Sequence, residues 1–363
     1  MRSTLADVAR EAGVSVASVS RVLNGHPARP GTADRIRKAA AELGYLPDLA
    51  ARSLKMRRTE QVSLVVDDLG NPAYIDMMRG VERVLRDAGY RLQISAIGSD
   101  ADLGTSTALH TVSRGYADGL IICPLRINAE LVQVLEASPI PVVVIGTLPR
   151  GARLDNVTVD SSSGVRLALE HLHGLGRRRV AFLGGPVDTN PGTRRLAGFR
   201  TAARALGLPG DPELESVTDA WTYEAALTAF DRLLGRTDFD ALLAANDVLA
   251  IAAMHTLHRR GRRVPQDVAV VGVDDSEVTA FSTPTLTSVA LGAQRRGAMA
   301  ARLLLRRLAD PEAPLRRLRE VPRLQVREST TGSAEPVGAG HPTAQPSTAA
   351  ADPHAGPAEQ EHR

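Results

Sequence analysis

From Thr4 to Asn24 the chain reads TLADVAREAGVSVASVSRVLN, two short amphipathic segments separated by a glycine. Leu5, Val8, Ala9 and Ala12 fall at i, i+3, i+4 and i+7, one face of a helix that Thr4 is placed to cap. Gly13 is positioned to end that helix, because glycine enters the left-handed region without a Cβ clash. Ser15 can cap a second helix that buries Val19, Val22 and Leu23 and stops at Asn24-Gly25. Val16, Ala17, Ser18, Ser20 and Arg21 are left on its N-terminal and outer part, the part a helix-turn-helix presents to base edges in the major groove. An ordinary helical hairpin would give the same local pattern. A third amphipathic segment runs over 32–43, with Ile36, Ala39, Ala40 and Leu43 inward and Gly44 at its end. HPARPG before it leaves its start at either Pro30 or Thr32. After Tyr45-Leu46-Pro47, DLAARSLKM reads as a further short helix with Asp48 as its cap.

From Gln61 the period changes. VSLVV, YRLQISAI, GLIICPL, PVVVIG, RVAFLGG, ALLAAND and VAVVGVDD are short apolar runs, each followed by a polar turn. Helical stretches such as YIDMMRGVERVLRDAG and SGVRLALEHLHGLG separate them, which predicts βαβ units in parallel sheets flanked by helices. Two blocks of this kind, about 61–160 and 161–288, suggest two lobes. Ligands of such sheets bind at the C-terminal ends of the strands. Asp67-Asp68, Asn71 to Tyr74, Asn246-Asp247 and Asp274-Asp275 follow strands there, with Arg195 and Trp221 in nearby segments. Carboxylates, amides and a guanidinium around an aromatic ring suit a polyhydroxylated ligand. An acid at a strand-to-helix junction is equally a helix cap, and one residue can serve as both.

The order GVSVASVSRVLNG, then AELGYLP, then AARSL resembles the lac repressor and galactose repressor family of bacterial transcription regulators. The likeness continues to about residue 330. It implies a small all-α helix-turn-helix head over 1–46, a hinge helix and linker over 47–60, and a two-lobed α/β core over 61–332. That core would be like a periplasmic binding protein, with an N-lobe of about 61–160 and 290–317 and a C-lobe of about 161–289 and 318–332. The chain would cross between lobes near 160, 290 and 318. DNA contact is implied for Thr4, Leu5, Ser15, Val16, Ala17, Ser18, Ser20, Arg21 and Asn24 in the head, and for Ala51, Leu54 and Lys55 in the hinge. Leu54 corresponds to a hinge leucine that wedges into the minor groove. Asp67, Tyr74, Arg195, Trp221, Asn246 and Asp274 correspond to positions lining the effector cleft. Two positions depart from the sugar-responsive pattern: Gly146 stands where many members have an acid, and Leu291 where a polar residue is common. Residues 333–363, rich in Ala, Pro and Gly, read as a disordered tail and carry no leucine heptad of the kind that joins dimers into tetramers. A homodimer on a two-fold symmetric, double-stranded operator, switched by a small-molecule effector, is the expectation.

Charge sharpens this picture. Residues 1–60 hold eleven basic and six acidic side chains, against a net +3 for the whole chain, so a basic head sits on a slightly acidic body. Phosphate contact by the head alone fits that segregation. MRSTLADVAR has no apolar signal region and no window is apolar enough to span a membrane, so the expected location is cytoplasmic. The single Cys123 excludes an internal disulfide and reads as a buried strand residue. His255-x-x-His258 lacks further metal ligands nearby, and neither a metal nor a cofactor is expected. Phe182-Leu183-Gly184-Gly185-Pro186 follows a strand but has neither the full G-x-G-x-x-G spacing nor a Walker lysine. No G-x-S-x-G or H-E-x-x-H motif is present, and no catalytic residue is assigned. A carbohydrate-acting α/β enzyme remains the alternative from another class; it would leave residues 1–58 without a purpose. Within the regulator class, a protein partner is the alternative to a small effector.

Overall fold

A computed structural model describes residues 3–23, 26–45, 58–96 and 117–332. Asn24, the hinge positions Ala51, Leu54 and Lys55, and the 333–363 tail lie outside the described residues. In the head, α1 (Leu5–Ala12) begins with a reciprocal cap: the Thr4 hydroxyl accepts the Asp7 N–H, and the Asp7 carboxylate accepts the Thr4 N–H at 2.9 Å. Gly13 ends it in the left-handed region, with φ at 64°. In α2 (Val16–Leu23) the Ser18 N–H donates to the Ser15 hydroxyl at 3.2 Å, as a capping serine should accept. The third helix, α3 (Thr32–Glu42), starts at Thr32 after a left-handed Gly31, which decides between the two possible starts. Val8, Val19 and Ile36 are fully buried where the three helices meet, and Ser3 Oγ donates to the Leu43 carbonyl at 2.7 Å.

Among the described residues, two six-stranded sheets form the core. The first is built from β1 (Gln61–Val66), β2 (Arg91–Ala96), β3 (Gly119–Cys123), β4 (Val142–Ile145), β5 (Asp155–Val159) and β11 (Arg317–Glu320), in the order β11-β5-β4-β3-β1-β2. The second holds β6 (Val180–Gly184), β7 (Glu215–Val217), β8 (Ala241–Ala244), β9 (Ala269–Asp274), β10 (Thr287–Ala290) and β12 (Arg323–Gln325), in the order β12-β10-β9-β8-β6-β7. Every pairing is parallel except β10 with β12. The helices α4 (Pro72–Asp87), α5 (Ala129–Glu136), α6 (Ser161–Gly174), α7 (Asn190–Ala205), α8 (Tyr223–Arg236), α9 (Asp247–Arg259) and α10 (Ala293–Ala309) alternate with the strands. None of the helices in the described residues is long and apolar enough to cross a membrane.

The strands that hydrophobic pattern predicts are all present. Those it passes over are short, polar or both: β5 carries Asp155 and Asn156, β7 is three residues, and β11 and β12 alternate arginine with leucine. β10 (TSVA) is entirely buried in spite of two hydroxyls. Thr287 Oγ1 donates to the Arg327 carbonyl at 2.9 Å and Ser288 Oγ to Asp247 at 2.5 Å, so neither hydroxyl is desolvated without a partner. The strand order shows the chain changing sheets after β5, between β10 and α10, and between β11 and β12. The third change falls at Val321-Pro322, because β11 stays in the first sheet through Glu320; the boundary expected near 318 shifts by about one turn of chain.

α10 follows a strand of the second sheet but packs on the first, face to face with α4. Glycine makes that approach possible. A Cβ on Gly80 would lie 2.0 Å from the Gln294 carbonyl oxygen, and one on Gly297 2.3 Å from that of Met77. Alanine normally improves a helix interior by up to about 1 kcal/mol over glycine. For Gly80→Ala the sign reverses: urea unfolding should show a loss of about 1–3 kcal/mol from overpacking against backbone. Gly235→Ala, in α8 with open space around it, is the control and should not destabilise.

Candidate functional site

The C-terminal ends of the strands in the two sheets face one another across a cavity of about 440 Å³. Small-molecule sites commonly enclose ~300–1,000 Å³. All six effector positions expected from the sequence line it: Asp67, Tyr74, Arg195, Trp221, Asn246 and Asp274. Gly146 and Leu291, the two departures, also face it. The lobes touch at its mouth, where Arg126 donates twice to Asp188, at 2.8 and 2.9 Å, and the Asn190 N–H donates to the Leu125 carbonyl at 2.8 Å.

Strand ends place the acids. Asp67 follows β1, is buried, and accepts the Leu125 N–H; burial raises its pKa from 3.8 to about 6. Asp274 ends β9 with φ at 116°, a backbone region that non-glycine residues rarely hold outside functional sites. Burial pushes its carboxyl upward and the nearby Arg195 and Arg296 oppose that shift. Arg195, inside α7, donates to Asp274 at 3.0 Å and to the Ala245 carbonyl, with both side chains of the ion pair almost wholly buried. Asn246 accepts the Leu249 N–H at 2.8 Å and so caps α9. The cap uses only the amide oxygen; the Asn246 Nδ2 is buried without a partner. Arg195 Nε and Trp221 Nε1 are in the same state. Three buried donors around one cavity are unspent, a costly arrangement unless something in the cavity accepts from them.

Trp221 explains the double glycine. A Cβ on Gly185 would lie 2.4 Å from the Trp221 ring, so this stretch is the seat of the indole and not a phosphate loop. The Arg195 guanidinium carbon is 5.7 Å from the ring centroid, within cation–π reach.

The neighbouring acids belong to the framework. Asp247 accepts the Ser276 N–H at 2.8 Å, the Ser276 hydroxyl at 2.7 Å and the Ser288 hydroxyl at 2.5 Å; burial, with Asp274 nearby, raises its pKa to about 8. Asp275 accepts from Arg327 at 2.7 Å. Neither lines the cavity. His255 packs the edge of its ring against Tyr223, and among the described residues no group of three or more His, Cys, Asp or Glu is placed to hold a metal.

In the head, Val19 and Val22 of α2 are buried, while Ser15, Val16, Ala17 and Arg21 are exposed and Ser18 and Ser20 are half-buried. Thr4 is exposed at the start of α1 and Leu5 is half-buried beside the head's core. The outer face of α2 is thus a strip of small side chains with one arginine, narrow enough to enter a major groove.

Comparison with known proteins agrees with both halves. Residues 4–48 match the pattern of bacterial regulatory proteins of the lacI family, and residues 169–330 match a periplasmic binding protein-like domain. The transcriptional regulator CelR of Thermobifida fusca is 37% identical over 90% of this chain and 98% of its own length. The ribose operon repressor of Escherichia coli K12 is 31% identical over 90% of this chain and 99% of its own. The chain belongs to the lacI family. Among solved structures, a CelR–cellobiose complex is 35% identical with a TM-score of 0.68, covering 90% of this chain and 100% of that one. A lac repressor dimer bound to operator and the anti-inducer ONPF is 25% identical with a TM-score of 0.79, covering 91% and 99%. The relatives are regulators and not enzymes, so the carbohydrate-acting alternative falls.

Sequence reasoning missed one cavity-lining residue of note. Arg296 reaches the cavity from the first turn of α10, beyond the second sheet change, where no strand-end rule points. Its neighbourhood is made only by the crossover.

The Asp67 carboxyl has a measurable signature. A folded pKa raised above 3.8 means the native state holds this proton more tightly, so the group's contribution to stability is largest below pH 4 and declines as pH rises to about 6. Urea unfolding across that window should show wild type losing stability relative to Asp67→Asn, which has no proton to release. Parallel curves would place Asp67 in a solvated environment.

Proposed function

We propose that this lacI-family chain is a repressor that binds a palindromic DNA operator as a homodimer and is switched by a sugar or sugar derivative held between its lobes. The observation that carries the effector half is the set of buried, unspent donors on Arg195, Trp221 and Asn246 around one cavity. Sugar hydroxyls and ring oxygens accept from such groups while donating to Asp67 and Asp274. The cellobiose complex of CelR and the name of the ribose operon repressor support the same ligand class. Cellobiose and ribose are therefore the first probes.

The DNA half rests on α2. Arg21 reads a guanine by bidentate donation, while Val16 and Ala17 meet thymine methyl groups or leave room for larger bases. Thr4, Leu5, Ser15, Ser18, Ser20 and Asn24 position the head on the backbone and groove edge. Ala51, Leu54 and Lys55 belong to the proposed hinge contact, with Leu54 as a minor-groove wedge at a central CG step. Binding works from the bacterial cytoplasm. Effector and operator are coupled by linkage of about 1–3 kcal/mol, because a ligand shifts DNA affinity only by its preference between two lobe arrangements.

Selection of bound sites from random duplex DNA with the purified chain tests this reading. The expected product is a palindrome with a central CG, from which cellobiose or ribose changes the affinity. No enrichment at moderate salt, with or without sugar, would sink it. On the selected site, Arg21→Ala should lose discrimination of about 1–3 kcal/mol against the base pair it reads. Equal losses on selected and scrambled DNA would make Arg21 a phosphate contact instead.

A further inference from the structure

Among the described residues four arginines line the cleft, and three are accounted for. Arg126 is paired with Asp188, Arg195 with Asp274, and Arg194 is exposed at the rim. Arg296 is different. It is half-buried, and its Nε donates to the Leu291 carbonyl at 3.0 Å, which fixes the guanidinium at the point where the chain passes from β10 into α10. Among the described residues no carboxylate lies within ion-pair distance of it. Its charge acts on Tyr74, Cys123 and Asp274, which come from both lobes, so it sits where the two walls of the cleft meet.

The remaining charges do not neutralise it. Asp274 is already bonded to Arg195, and Asp67 accepts from the Leu125 backbone and feels the charge of Arg126. Asp68 and Asp219 are exposed, where water and salt screen them. The inner cleft thus offers the spare donors of Arg195, Trp221 and Asn246 together with a partly desolvated guanidinium that, among the described residues, has no carboxylate within ion-pair distance. A neutral polyol satisfies the first set. A fixed cation in a partly dry site is satisfied best by an anion, since hydrogen bonds with an ionised partner are shorter and stronger than neutral ones.

Resting on the reading of the cleft as a saccharide site, we infer that Arg296 is a specificity-determining effector contact that selects a sugar carrying an anionic oxygen group, a carboxylate or a phosphate. The geometry supports oxygen recognition by the free edge of the guanidinium, opposite the nitrogen held by Leu291. Apolar lining at Gly146 and Leu291 leaves the anion to be read by Arg296 and not by a ring of polar side chains.

Titration calorimetry on the full chain with matched pairs tests this: cellobiose against cellobionate, and ribose against ribose 5-phosphate. The anionic member of at least one pair should bind about tenfold or more tightly than its neutral partner, the ordinary worth of a hydrogen bond to a charged group. The preference should weaken at high salt. The pair that shows it separates carboxylate from phosphate. Arg296→Gln should bring the ratio close to one, while Arg302→Gln, an exposed arginine on the same helix, should leave it as in wild type. Arg296→Lys, which keeps the charge without the fork, should retain part of the preference and guards against a folding defect in the glutamine variant. Equal or tighter binding of the neutral sugars by wild type, or a preference that survives Arg296→Gln, would overturn the inference and leave the saccharide cleft intact. Binding of none of the four would remove both.

Discussion

The constraint on which the core depends is that neither lobe is a continuous piece of chain. α10 leaves the second sheet and buries Ala300, Ala301 and Leu304 in the first. It does so through a contact so close that Gly80 and Gly297 have no room for a methyl group. β11 then closes one edge of the first sheet and β12 one edge of the second. The Arg307 guanidinium locks this return, donating at 2.9 Å to an Asp155 that is almost wholly buried and also accepts the Arg316 N–H. Because the chain crosses three times between the lobes, their relative placement is set by short connections.

The cleft inherits its chemistry from that arrangement. Parallel strands deliver Asp67, Asn246 and Asp274 to the cavity, since the first two follow the C-terminal ends of β1 and β8 and the third ends β9. α7 supplies Arg195 from the side, and a glycine seat lets Trp221 lie against the chain after β6. The cost of the arrangement is concentrated here: a left-handed Asp274, raised carboxyl pKa values, and buried donors without acceptors. A region optimised only for stability would satisfy those groups internally, as Asp247 is satisfied by two serines. Stability has been given up around the cavity and not in the framework beside it.

Local rules were enough for the head. The Thr4–Asp7 cap, the left-handed Gly13, the Ser15 cap and the buried faces of three helices all follow from residues within a few positions of one another. The start of α3 was open in the sequence because Pro30 and Thr32 both suit a first turn; the left-handed Gly31 decided it. In the core, apolar runs marked seven strands, β1 to β4, β6, β8 and β9, six of them interior and β2 at an edge. Edge strands such as β7, β11 and β12 carry too few apolar residues to stand out, since only part of each faces a core.

The sequence by itself determined the classes of element and the pattern of small exposed residues on α2, and its strand-end positions, with the likeness to the family, pointed to the six side chains that line the cavity. It could do so because caps, helical period and strand-end position are short-range properties. Only the tertiary structure decided that Asp247 and Asp275 are framework, that Gly185 seats an indole, that the last sheet change falls at Val321-Pro322, and that Arg296 lines the cleft without a carboxylate in ion-pair distance among the described residues. Each of those depends on which distant residue occupies the facing position, and the chain's local period carries no record of that.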